Sequence, residues 1–156
     1  MPRLNKGEWS ELYAIVSLLL SPELSICDAQ LNEITKSLYD LKKIQLKDKT
    51  ELSLEYTLDK DFNVKVIYDK EVKNTILKTD IAKIKEKLLK NIQKSNTHTG
   101  AFKIEGIESI LMQLSNTNRL KSKSLAKEDF EAIVIDKNLT WTFHEFITNS
   151  IFYLYF

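Results

Sequence analysis

Leu52-Ser53-Leu54-Glu55-Tyr56-Thr57-Leu58 decides the fold class. Apolar and polar residues alternate in it with a period of two, which places every second side chain on the same face of a β-strand. Lys42-Lys43-Ile44-Gln45-Leu46-Lys47 before it alternates in the same way, and Phe62-Asn63-Val64-Lys65-Val66-Ile67-Tyr68 after it nearly does. The links Asp48-Lys49 and Asp59-Lys60-Asp61 are short and polar, so the three stretches predict two hairpins of an antiparallel meander. A sheet of this kind buries one face and wets the other, and solvation alone accounts for its outward lysines.

Outward from the meander the period changes to that of a helix. Asn5-Lys6-Gly7-Glu8-Trp9-Ser10-Glu11-Leu12-Tyr13, continued by Ala14-Ile15-Val16-Ser17-Leu18-Leu19-Leu20, gathers Trp9, Leu12, Tyr13, Val16, Leu19 and Leu20 on one face. Ile15 and Leu18 extend the apolar surface round the other side, so this helix is expected near the centre of a core. Ser21-Pro22 marks a break after it. Asp28–Tyr39, with Leu31, Ile34, Leu38 and Tyr39, is expected as a short helix or turn segment. Beyond the meander, Lys78–Gln93 places Ile81, Ile84, Leu88 and Ile92 on one side. Its lysine-rich opposite side suits either a solvated surface or contact with phosphates. A loop at 96–100 closes this helix, and a shorter one over Glu105–Leu114 turns Ile107, Ile110, Leu111 and Leu114 inward. Ile133-Val134-Ile135 reads as a buried strand. Helices and antiparallel strands in separate blocks make the class α+β.

Composition bounds the function. The 156 residues suffice for one core, and 43% apolar with 29% charged residues is the balance of a globular chain. A net charge of +1 gives no global basic signal for nucleic acid, although charge can still be segregated on one face. The single cysteine, Cys27, excludes an intramolecular disulfide and cannot by itself form a zinc site. His98 and His144 suggest no nucleophile–base pair. The apolar run Ile15–Leu20 is too short to span a bilayer, so no membrane segment is expected and a reducing, cytoplasmic setting is the default.

Three acids stand out. Glu8 lies at the third helical position after Asn5, where a capping box would account for it, and Glu11 lies beyond reach of the cap. Asp129 precedes the Ile133–Ile135 strand and follows Arg119, Lys121, Lys123 and Lys127. A cationic turn leading into an acid can bring a phosphate and a metal together, although an aspartate at a strand start is commonly only a turn residue. The stretch 137–156 differs from the rest, since residues 141–156 hold seven of the fifteen aromatics and Glu145 as the sole charged side chain. It has no evident mate in the sequence.

The nine residues Asn5–Tyr13 resemble the opening of HpaII-like type II restriction endonucleases. Lys121-Ser122-Lys123-Ser124, Lys127-Glu128-Asp129 and Ile133-Val134-Ile135-Asp136 are similar, more loosely, to that family's segment before its catalytic strand. The resemblance implies a PD-(D/E)xK nuclease core with a mixed or antiparallel sheet, flanking helices and a Mg2+ site at the sheet edge. It further implies double-stranded DNA as substrate, CCGG as the recognised sequence and a cytosine methyltransferase encoded nearby. Asp129 would be the metal ligand, with Glu8 or Glu11 the supporting acid and Lys121, Lys123 and Lys127 the DNA contacts. A homodimer is left open.

The sequence departs from that pattern after Asp136. The family continues into a second strand that carries a catalytic lysine, and no lysine follows Lys137 here. The expectation is therefore residues 5–136 as the amino-terminal part of the nuclease domain, truncated and inactive alone, with 137–156 as an atypical tail that suggests a shifted reading frame. A sheet lacking the lysine strand would present an open edge. Two rivals remain: a small non-catalytic α+β interaction module docking through its aromatic tail, and a nuclease completed in trans.

Overall fold

In the computed structural model, which describes residues 3–28, 30, 32–47, 53–95, 100–115, 131–136 and 150–153, the two periodicities sort into helices and strands as their spacing requires. The order is α1 (Lys6–Leu20), β1 (Glu23–Cys27), β2 (Glu33–Lys47), β3 (Ser53–Leu58), β4 (Val64–Tyr68), β5 (Glu71–Ile76), α2 (Lys78–Lys94), α3 (Glu108–Ser115), β6 (Glu131–Asp136) and β7 (Ser150–Tyr153). The strands form one sheet in the order β5-β4-β3-β2-β6-β7, with β1 also paired to β2. Every described pairing is antiparallel.

β2 is the spine. Tyr39 pairs with Leu24 and Asp136, and Ile44 pairs with Tyr56 and Ala132. β6 therefore runs along one edge of β2, while β1 and β3 follow one another along the opposite edge. The predicted meander is present as β2-β3-β4, and β5 extends it.

β1, the first half of β2 and β5 depart from the sequence reading, which names no strand before Lys42 and none between Tyr68 and Lys78. The short helix or turn expected over Asp28–Tyr39 is a tight turn and then the first half of β2, paired to β1. Register shifts fall between Ser25 and Ile26 against β1, and between Leu41 and Lys43 against β6. The slip is three residues against β1 and one against β6, and an odd slip breaks the period-two pattern that announces a strand, while Leu31, Ile34 and Leu38 are spaced in the sequence as on a helix face. β5 was equally hidden, with a shift between Val66 and Ile67. Its hairpin turns on Asp69 and Lys70 at φ 49° and 66°, a two-residue turn made without the glycine that normally signals it.

β6 does not face solvent along its second edge. Ile133 pairs with Ile151 and Ala132 with Phe152, so four residues within the aromatic stretch find their mate in β6. α3 begins later than Glu105 because Gly106, at φ 72°, holds a turn that a right-handed helix cannot include.

The core lies on one face of the sheet. Ile44, Tyr56 and Val66 stand abreast on β2, β3 and β4, joined by Leu41, Val64, Ile76, Ala132 and Val134. Against them pack Trp9, Leu12, Ile15, Val16 and Leu19 of α1, Ile81, Ile84 and Leu88 of α2, and Ile107, Leu111 and Leu114 around α3. α1 also packs on α2 and touches β2. Burying an aliphatic or aromatic side chain of this size stabilises a fold by roughly 1.5–3 kcal/mol, so these faces hold the layers together. Two polar groups drawn into the core find backbone partners: the Trp9 indole N–H donates to the Phe102 carbonyl at 3.2 Å, and the Tyr56 hydroxyl to the Leu114 carbonyl at 2.9 Å, whereas the buried Ser17 hydroxyl has no partner among the described residues.

Candidate functional site

The acids of α1 are set by its first turn. Asn5 Oδ1 accepts the Glu8 N–H at 2.9 Å, and Glu8 Oε2 accepts the Asn5 N–H at 2.7 Å, so the reciprocal capping box foreseen from the spacing is formed. The carboxylate also lies at the positive end of the helix dipole. The entry to the helix is fixed on its other side by paired backbone of Leu4 and Phe102, whose carbonyl takes both the Leu4 N–H and the Trp9 indole. Glu11 sits one turn further on, half-buried, beyond the capping turn. Glu8 thus serves the helix cap, and Glu11 lies outside that cap.

β6, which follows Asp129 in the sequence, belongs to the same sheet. It borders β2, on which α1 packs, and its Ala132 and Val134 share a core with Trp9 and Val16. Asp136, at its end, is paired across the backbone with Tyr39. Asp129, Lys121, Lys123, Lys127, His98 and His144 lie outside the described residues. Among the described residues no three His, Cys, Asp or Glu side chains converge on a point that could hold a metal ion. Among the same residues no helix is long and apolar enough to cross a membrane.

Sequence reasoning missed a repeated device at the ends of the sheet. Asp28 Oδ1 accepts the N–H groups of Gln30 and Asn32 at 2.9 and 2.8 Å, and its Oδ2 takes the Asn32 side-chain amide at 3.1 Å. Asp59 repeats this with Asp61 and Asn63, at 2.9, 2.9 and 3.3 Å. The donors hold both carboxyls below the ordinary carboxylate range, with Asn32 the main cause at Asp28 and the Asn63 N–H at Asp59. The signal was legible: Asp28-Ala-Gln-Leu-Asn32 and Asp59-Lys-Asp-Phe-Asn63 share aspartate and asparagine four apart, and each joins two strands. These are folding turns, since their acceptor oxygens are already occupied by the chain's own N–H groups.

Positive charge is concentrated on α2, which carries six lysines against Asp80 and Glu86. Lys85 lies over the Tyr13 ring, 5.9 Å from its centroid, and Lys78 over Phe62 at 4.9 Å. The other lysines of α2 point away from the core.

Comparison with known proteins agrees with the opening of the chain. The model of the family described as HpaII restriction endonuclease matches residues 5–151, from the capping asparagine into β7. A relative from Haemophilus parainfluenzae, described as type II restriction enzyme HpaII, is 33% identical over 135 residues, which cover 85% of this chain and 36% of the relative. The chain thus spans little more than a third of that protein's length. No solved structure matches. With the capped, acid-bearing helix α1 and the sheet through β6 both inside the matched range, the chain belongs to the HpaII restriction endonuclease family.

Proposed function

We propose that this chain takes part in site-specific hydrolysis of double-stranded DNA as a type II restriction endonuclease component in the cytoplasm, with CCGG as its sequence and Mg2+ as the cofactor. The observation that carries the reading is the family match from residue 5 to 151, which takes in both glutamates of α1 and the strand that follows Asp129. Asp129 is the proposed metal ligand. Glu8 or Glu11 is the proposed supporting acid, Glu8 also accepting the Asn5 N–H at 2.7 Å. Lys121, Lys123 and Lys127 are the proposed phosphate contacts beside Asp129. The proposed cognate methyltransferase is a genetic partner encoded nearby.

Within these 156 residues no lysine follows Lys137, so the catalytic lysine that the family resemblance implies is not among them. These residues are proposed to bind duplex DNA without cutting it. The test incubates the purified chain with Mg2+ and a CCGG duplex, alone and with the product of the adjacent reading frame. Expected are CCGG-preferring binding without cleavage by the chain alone, cleavage on mixing, and loss of that cleavage in Asp129→Asn. Cleavage by these residues alone would refute the proposal that they bind without cutting. Equal affinity for CCGG and scrambled duplexes would refute the recognition sequence.

A further inference from the structure

The outer face of α2 carries an ordered charge that neither the core nor the acids of α1 explain. Lys83, Lys87, Lys90 and Lys94 are spaced four, three and four residues apart. At 3.6 residues per turn they fall within about 60° of one another, opposite the buried Ile81, Ile84 and Leu88. All four are exposed, and the Lys83 side chain keeps 75% of its surface. Lys83 pairs with Asp80 at 2.9 Å, but among the described residues no ion pair joins Lys87, Lys90 or Lys94 to an acid. At the same end of the helix Lys6 of α1 reaches the Ser95 carbonyl at 3.5 Å and adds a fifth cation. Lys83–Lys87, Lys87–Lys90 and Lys90–Lys94 are like-charge neighbours that repel, offset in part by Asp80 three residues before Lys83 and Glu86 four before Lys90.

We infer that this stripe is a docking surface for the phosphate backbone of duplex DNA, separate from the base-reading and acid-bearing parts of the molecule. The charge pattern selects that occupant. Eleven residues at 1.5 Å rise place Lys83 and Lys94 about 16 Å apart along the helix axis. One strand of a duplex rises about 3.4 Å of axis per phosphate and winds round that axis, so a straight helix meets only about two to three of its phosphates, a number matched by the ammonium groups of Lys83, Lys90 and Lys94, while that of Lys87 turns towards Gly106. Such contacts position a protein on DNA without reading its sequence. The helix is anchored for this use, because its opposite face is locked into the core against α1. The inference rests on the DNA reading above and adds to it a surface indifferent to base sequence.

The experiment measures affinity of the full chain for a CCGG duplex and a scrambled duplex as salt rises from 50 to 200 mM. The variant K83Q/K90Q/K94Q is compared with wild type and with a charge-matched control, K42Q/K60Q/K70Q, whose lysines are also exposed. Circular dichroism verifies that all three fold. Neutralising three phosphate contacts is expected to flatten the log–log salt slope by about 2.7. Wild type then loses about 40-fold more affinity than the stripe variant across that salt range, equally on both duplexes, while the control keeps the wild-type slope. An unchanged slope in the stripe variant, or an equal flattening in the control, overturns the inference and leaves the DNA reading standing. Loss of CCGG preference with the slope effect intact overturns the recognition sequence and leaves the stripe standing. Failure of wild type to bind either duplex, or tighter binding to RNA or an acidic peptide, overturns the assignment of DNA to this surface.

Discussion

Replacing Tyr56 with phenylalanine tests how α3 is held, and α3 is the last described element before the segment that contains Lys121, Lys123, Lys127 and Asp129. The Tyr56 ring is 1% exposed, and its hydroxyl donates to the Leu114 carbonyl at 2.9 Å. Leu114 lies in the last turn of α3, where carbonyls have no partner within the helix. Phenylalanine keeps the ring packing but leaves that carbonyl unsatisfied, which costs about 1–3 kcal/mol. A central value of about 2 kcal/mol lowers the melting midpoint by about 4–8 °C in a chain of this length. A second, independent signature lies at high pH. Burial pushes the Tyr56 phenol well above its ordinary value, so its contribution is full below the unfolded pKa near 10 and is lost as pH rises above it. Over that range the unfolded state sheds one more proton than the native state, which costs about 1.4 kcal/mol per pH unit. Urea unfolding at pH 7 and at pH 10.5–11.5 measures both effects. Tyr56→Phe is expected to be less stable at pH 7 and to show a shallower loss at high pH than wild type. Equal stability at pH 7 together with an equal alkaline slope would refute the anchoring of α3 through this hydroxyl.

Three further outcomes follow from the same geometry. Asn5→Ala removes the oxygen that accepts the Glu8 N–H and should cost about 1 kcal/mol, whereas Asn5→Asp should keep most of the cap; thermal melts of the pair separate capping from general surface effects. Leu88→Ala should cost about 2–5 kcal/mol, while Leu89→Ala, next along α2 but 38% exposed, should stay within about 0.5 kcal/mol, and urea midpoints that coincide would contradict the assigned helix face. Asp28 and Asp59 have depressed carboxyls, so their contribution is present above the unfolded pKa near 3.9 and is lost as pH falls through the lower folded value. The double variant Asp28→Asn/Asp59→Asn should therefore flatten the stability profile below about pH 4, read by circular dichroism during acid titration, and an unaltered acid limb would show that the two turns do not carry it.

The sequence by itself determined the local structure wherever one period ran unbroken. Leu52–Leu58 alternates without interruption, and Ile81, Ile84 and Leu88 recur at helical spacing, so β3 and α2 were legible before any contact was known. The capping box was equally local, because Asn5 and Glu8 meet within a single turn. The nine residues Asn5–Tyr13 also carried the family resemblance, and the match over residues 5–151 agrees with it. The first half of β2 and the whole of β5 were not legible, since register shifts break the alternation and Asp69-Lys70 turns a hairpin without glycine. The mate of the aromatic stretch was decided only in three dimensions: pairing of Ile151 with Ile133 joins backbone groups far apart in the chain, and no local period encodes such a partner. The same holds for the candidate site. Sequence spacing named Glu8 and Glu11 together, but tertiary contacts brought α1 and β6 onto neighbouring parts of one core, and the cap engaged one glutamate and not the other. Local physical chemistry sets which face of an element is apolar, whereas the choice of what covers that face is made by long-range packing.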